Sequence, residues 1–197
     1  MANLLIYAFT AGTPEPTTVA SGVWGSRIAT LQGNLNWISF ANGEGFASEP
    51  TIIATPVTGN TTAALALSNG GYFWLTAAPI SGKKLNLATL TLNAARGGAS
   101  TPRGIKVRSS IDAYANDLYS ADLTTQTPTW TNISIDLTGA SYQGLTAPIT
   151  FRFYIWAPTN ANSVDVDDIT VTGTVASLSD VKAFNGVSLV KTVNGIT

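Results

Sequence analysis

The stretch Ile149–Trp156, "ITFRFYIW", alternates without a break. Ile149, Phe151, Phe153 and Ile155 fall on one side of an extended chain, and Thr150, Arg152, Tyr154 and Trp156 on the other. Successive side chains of a strand point to opposite faces, so this octet reads as a strand with one face on a core and one turned outward. The same period returns at residues 131–137, where Thr131, Ile133, Ile135 and Leu137 oppose Asn132, Ser134 and Asp136. It returns again where Ile105, Val107 and Ser109 oppose Lys106 and Arg108. Helical periodicity is nearly absent.

Between these runs stand turn clusters: "NGEG" (42–45), "SNGG" (68–71), "SGKK" (81–84), "ARGGASTPRG" (95–104) and "APTNANS" (157–163). Gly and Asn tolerate the backbone of tight turns, and Pro interrupts strand pairing. Strands are expected near residues 3–9, 26–31, 36–40, 51–55, 62–67, 71–77, 85–92, 104–110, 130–137, 149–156 and 164–173, with at most a helical turn within 110–119. So many short strands imply an all-β fold, a two-sheet antiparallel β-sandwich of jelly-roll topology. In "VDVDDITVTGTV" (164–175) the alternation loses phase at Asp167-Asp168, which predicts a bulge before Ile169. The sandwich is expected to span residues 1–175, with a short C-terminal extension over 176–197.

Composition narrows the function. Charged residues make up 11% of the 197, and the formal net charge is -1, against about a quarter charged in an ordinary globular chain. No electrostatic footprint for nucleic acid is present. The absence of Cys and His rules out Cys/His zinc sites and Ser-His-Asp or Cys-His nucleophiles. No apolar run approaches the ~18 residues of a membrane helix. The N-terminal "MANLLIYAFTAGTPEP" has neither the charged region nor the apolar length of a signal peptide, so synthesis in a host cytoplasm is expected.

The stretches "YFWLTAAPISGKKLNLATLTL", "GIKVRSSIDAYANDLYSADL", "ITFRFYIWAP" and "VDVDDITVTG" resemble a jelly-roll domain of bacterial surface and secreted proteins with C-terminal Pro-Glu-Pro sorting signals. That resemblance implies a fold and no particular chemistry. The chain ends on a near-duplication, "VKAFNGVS" (181–188) and "VKTVNGIT" (190–197). Asn185-Gly186 and Asn194-Gly195 are strong turn dipeptides, flanked by Phe184 and Val187 and by Val193 and Ile196. A unit so short cannot bury its own apolar face and gains order by adding strands to another sheet. Such repeats resemble the tails of structural proteins of tailed bacteriophages.

Two function classes follow. The first is a non-enzymatic virion protein, a capsid decoration (cement) protein on the major capsid protein lattice. It would be located on the capsid surface and self-assembled, with a trimer expected. Its assembly contacts would be Leu4, Ile6, Phe184, Asn185, Gly186, Val187, Val193, Asn194, Gly195 and Ile196, within an interface of ~1,200–2,000 Å². The second is a carbohydrate-binding module of a tail fibre or surface adhesin, using Trp130, Arg152, Tyr154 and Trp156 for ring stacking and hydrogen bonds. Neither nucleic acid nor membrane is a partner in these readings, and no cofactor is implied. Asp165, Asp167 and Asp168 are weak candidates for calcium. The alternative for them is that Asp168 binds backbone at the bulge while the other two face solvent. Glu15, Glu44 and Glu49 lie in Pro- or Gly-rich loops, with nothing to place two carboxylates as a glycosidase requires.

Overall fold

The computed structural model describes residues 1–9, 12–28, 33–42 and 50–178. Two antiparallel sheets pack face to face as a jelly-roll β-sandwich. The first sheet runs β10 (Thr131–Asp136), β7 (Lys83–Arg96), β12 (Val164–Ser177), β1 (Ala2–Tyr7) and β2 (Thr18–Val19). To the start of β12 it adds β5 (Pro50–Pro56), and beyond that β4 (Leu35–Asn42). The second sheet runs β3 (Val23–Gly25), β6 (Tyr72–Pro79), β11 (Ile149–Trp156), β8 (Gly104–Ser109) and β9 (Tyr119–Asp122).

The inward residues of both sheets form one core. Phe73 on β6 and Phe153 on β11 are directly paired, fully buried, and stacked with ring centroids 4.8 Å apart at 10°. Phe151, Leu75, Leu90, Ile133 and Val171 extend the same layer.

The bulge expected at Asp167-Asp168 is present. Asp168 has φ 49°, and the β12–β7 register shifts between Asp167 and Thr170. It marks a change of neighbour, since β12 pairs with β5 through Val166 and with β1 from Ile169.

Three expectations are corrected. Residues 62–67 form no strand; they lie in and beside a short helix, α1 (Ala63–Ser68). Thr62 caps it by accepting a hydrogen bond from the Leu65 N–H at 3.3 Å, and the Ala/Leu run is good helix-forming sequence. The window 26–31 contributes no strand over residues 26–28; the pairing lies earlier, at Val23–Gly25. Leu4 is no assembly contact, because it is 1% exposed and part of the core. A register shift between Asn3 and Leu5 lets Leu4 and Leu5 both turn inward from a strand enclosed between β12 and β2. Ile6 is half-buried. Residues Phe184–Ile196 lie outside the described residues. Within 110–119, a single 3-10 turn (Ser110–Asp112) precedes β9.

Phe153→Ala should cost ~3–5 kcal/mol of folding free energy, the usual range for a buried Phe truncation. Urea denaturation followed by tryptophan fluorescence would read this as a lower midpoint at unchanged slope.

Candidate functional site

The outward residues of β11 are Thr150, Arg152, Tyr154 and Trp156, as alternation requires, but they have two different surroundings. α1 lies over one end. There Ala66 packs on Tyr154 and Trp156, each 3% exposed, and Ala63, Leu67 and Tyr72 complete a small second core. The Trp156 Nε1–H donates to Asp122 Oδ1 at 2.8 Å. Gly104, paired with Trp156, provides the room: a Cβ there would stand 2.1 Å from the indole. Tyr154 and Trp156 therefore present no free ring face, which corrects their reading as exposed ligand contacts. Trp130 is half-buried in the segment just before β10, a strand of the other sheet. Of the three candidates on β11, Arg152 alone escapes burial.

Around Arg152 the strand register assembles a different group. Arg152 pairs with Trp74, Tyr154 with Tyr72, and Thr150 with Thr76, so Tyr72 and Trp74 stand on its flank. The Arg152 guanidinium carbon lies 4.4 Å from the Tyr72 ring centroid and 3.6 Å from that of Tyr114, within cation–π range of both. Tyr72 meets Trp74 edge-on at 5.9 Å. Tyr72, Trp74, Tyr114, Thr150 and Arg152 line an open cavity of about 270 Å³.

Tyr114 reaches this cavity from the loop between β8 and β9, through consecutive left-handed residues, Ala113 (φ 56°) and Tyr114 (φ 64°). Side chains other than Gly rarely adopt that conformation, so the surrounding contacts must hold it. The Tyr114 N–H donates to Ser109 O at 3.0 Å. Arg108 Nη1 donates to Tyr114 O at 2.7 Å. Asp112 accepts from the backbone N–H groups of Ala115 and Asn116. Asp117 pairs with Lys106 at 2.7 Å and with Arg108, tying the loop down to β8. Burial pushes the Asp117 carboxyl up, but the Lys106 and Arg108 hydrogen bonds and charges outweigh it and hold it below the ordinary carboxylate value.

Among the described residues the ion pairs of this face are those of Asp117; Arg152 lies between ring faces instead. Burial works against its charge, yet a hydrogen bond with Tyr154 and the neighbouring tyrosines hold its pKa above the usual value. It stays cationic and carries five N–H donors. The arrangement offers ring faces for C–H surfaces, and guanidinium and hydroxyl groups for polar substituents.

A larger cavity, about 420 Å³, is lined by Arg96, Pro102, Arg103, Asp122 and neighbours. Its guanidinium groups already donate to carbonyls: Arg96 to Ala99 O and Thr124 O, Arg103 to Ser100 O and Ser163 O. It presents no aromatic lining.

The acidic cluster departs from both readings made of it. Asp165 and Asp167 are buried, and Asp168 is the exposed member, accepting from Asn93 Nδ2 at 3.2 Å. Among the described residues no group of three or more Asp, Glu, His or Cys side chains is placed to hold a metal ion. Among them, too, no helix is long and apolar enough to cross a membrane.

No protein-family model matches the chain, and no curated protein matches it. Solved structures do. The carbohydrate-binding module TmCBM61, in complex with β-1,4-galactotriose, is 12% identical at a TM-score of 0.47, covering 88% of this chain and 100% of its own. The K3 cleaved adhesin domain of Lys-gingipain from Porphyromonas gingivalis is 18% identical at 0.47, covering 87% and 99%. The CBM22-1 xylan-binding domain of Paenibacillus barcinonensis Xyn10C is 11% identical at 0.41, covering 87% and 94%.

Asp117→Asn should loosen the Tyr114 loop. Because the folded carboxyl titrates below its unfolded value of ~3.9, the stability it adds is complete above that range and lost as pH falls through the lower folded value. Thermal melts of wild type and variant should differ at neutral pH and converge in acid.

Proposed function

We propose that this chain is a non-catalytic carbohydrate-binding module that holds a glycan on the outer face of its second sheet. The observation that carries this reading is Arg152 set between the Tyr72 and Tyr114 rings, beside Trp74, on an open cavity. A pyranose ring has apolar C–H faces that stack on aromatic rings and an equatorial rim of hydroxyls that needs donors and acceptors. The Trp74 indole suits the faces, and Thr150 and Arg152, the latter held against the Tyr72 and Tyr114 rings, suit the rim. A net charge of -1 and a single cation at the site disfavour a polyanionic ligand. The lining includes no carboxylate, whereas glycoside hydrolysis uses two, so binding without cleavage is the function proposed.

A module of this kind serves a tail fibre or a surface adhesin. Most contacts of the capsid-decoration reading lie outside the described residues, and Ile6 among them is described and half-buried. Leu4 is in the core, and the Asn-Gly repeats lie beyond residue 178, the last described.

Affinity electrophoresis through gels containing soluble xylan, β-glucan, galactan or mannan tests the proposal. The wild-type protein should be retarded by at least one of them. Arg152→Ala and Trp74→Ala should each weaken binding by roughly tenfold or more with little change in melting temperature, and Trp130→Ala should bind as wild type. Undiminished binding by both site variants would sink the assignment.

A further inference from the structure

We infer that the binding face continues along the sheet to Trp24, so that the ligand is a glycan chain bound lengthwise across several units and not a single sugar. This rests on the carbohydrate reading above.

Trp24 is an indole left 53% exposed, in a residue type that is usually well covered. It sits in the middle of β3, a three-residue edge strand, between buried Val23 and half-buried Gly25. It pairs with Ala78 of β6. Paired residues of antiparallel strands share a face, and alternation along β6 puts Tyr72, Trp74, Thr76 and Ala78 on one face, the last of them buried. Trp24 and Trp74 therefore stand on the same side of the sheet. Four residues separate Ala78 from Trp74, about 13 Å at ~3.3 Å per residue. That exceeds one pyranose ring and suits a chain of about three linked rings.

The ground between the two indoles is low and polar. The Thr76 and Thr150 hydroxyls are 2.8 Å apart and bond to each other. Ser26 accepts from the Thr76 N–H through its hydroxyl at 2.9 Å. Ala78, next to Trp24, raises only a methyl group from the sheet. A chain stacked at Trp74 meets hydroxyls, then a shallow floor, then a second ring. In the opposite direction α1 covers the face over Tyr154 and Trp156, so extension runs toward β3. The packing of β3 on β6 does not explain an indole here, because Val23 supplies the inward contact of that strand.

Isothermal titration with xylo-, cello-, manno- and β-1,4-galacto-oligosaccharides of one to six units is the test, using the full chain. In the series that binds, affinity should climb with length until the chain reaches Trp24. Trp24→Ala should weaken the longer oligosaccharides roughly tenfold while leaving the disaccharide unchanged, and Trp24→Phe should recover most of the loss. Equal melting temperatures would confirm that an exposed side chain was removed without harm to the fold. If Trp24→Ala matches wild type at every length while Arg152→Ala loses binding, the extended site is wrong and the carbohydrate reading stands. If the wild-type protein binds no member of any series, both fail together.

Discussion

The stacked pair Phe73–Phe153 sits at the centre of the second sheet, and the rest of the binding face is a consequence of it. With those two rings opposite each other, Arg152 must lie opposite Trp74, and Tyr154 opposite Tyr72. Strand register has a period of two, so a slip of one residue would drive Arg152 and Tyr154 into the core and turn two phenylalanines to water. The cost of that slip, several buried aromatic side chains at ~1.5–3 kcal/mol each, is what keeps the outer residues in line. Site geometry is thus fixed from beneath, by residues that never touch a ligand.

α1 then divides the outer face. Where Ala66 meets Tyr154 and Trp156 the sheet is dry, and Gly104 makes room for the indole. Beyond the helix, Thr150 and Arg152 stay open. The helix has only six residues, too few to be stable in isolation, so it depends on the aromatics it covers as much as they depend on it.

Much of this was legible in the sequence, for local reasons. "ITFRFYIW" shows which residues turn inward, and loss of phase at Asp167-Asp168 shows the bulge, because both are properties of a single strand. What escaped depends on partners distant in the chain. Trp156 alternates with the exposed set, yet a helix some ninety residues earlier buries it. "TTAALALSNGG" reads as a strand until the Thr62 cap and the positive φ of Gly70 are known to bound a helix. Trp130 continues the polar phase of β10, a strand of the other sheet from Arg152. The aromatics of "GYFWLT" point to both faces of a strand, and nothing local shows that Tyr72 and Trp74 adjoin Arg152. Tyr114 gave a fainter sign, an aromatic inside the turn-rich "SIDAYAND", where no core strand needs it.

The loop that carries Tyr114 is secured by its own residues, by β8, and by β11 through the Ser110 hydroxyl and Arg152. Asp112 and Asp117 are its anchors, the first accepting from Ala115 and Asn116 within the loop and the second paired with Lys106 and Arg108 of β8. The floor of the site, in contrast, is welded to the core through strand register. A recognition surface made this way has a permanent half and a replaceable half. Substitutions or a new length between residues 113 and 116 can reshape one wall of the cavity while Ser110, Asp117 and Leu118 keep the ends of the loop fixed to the sandwich. The same sandwich can in this way change which ligand it prefers without having to be stabilised anew.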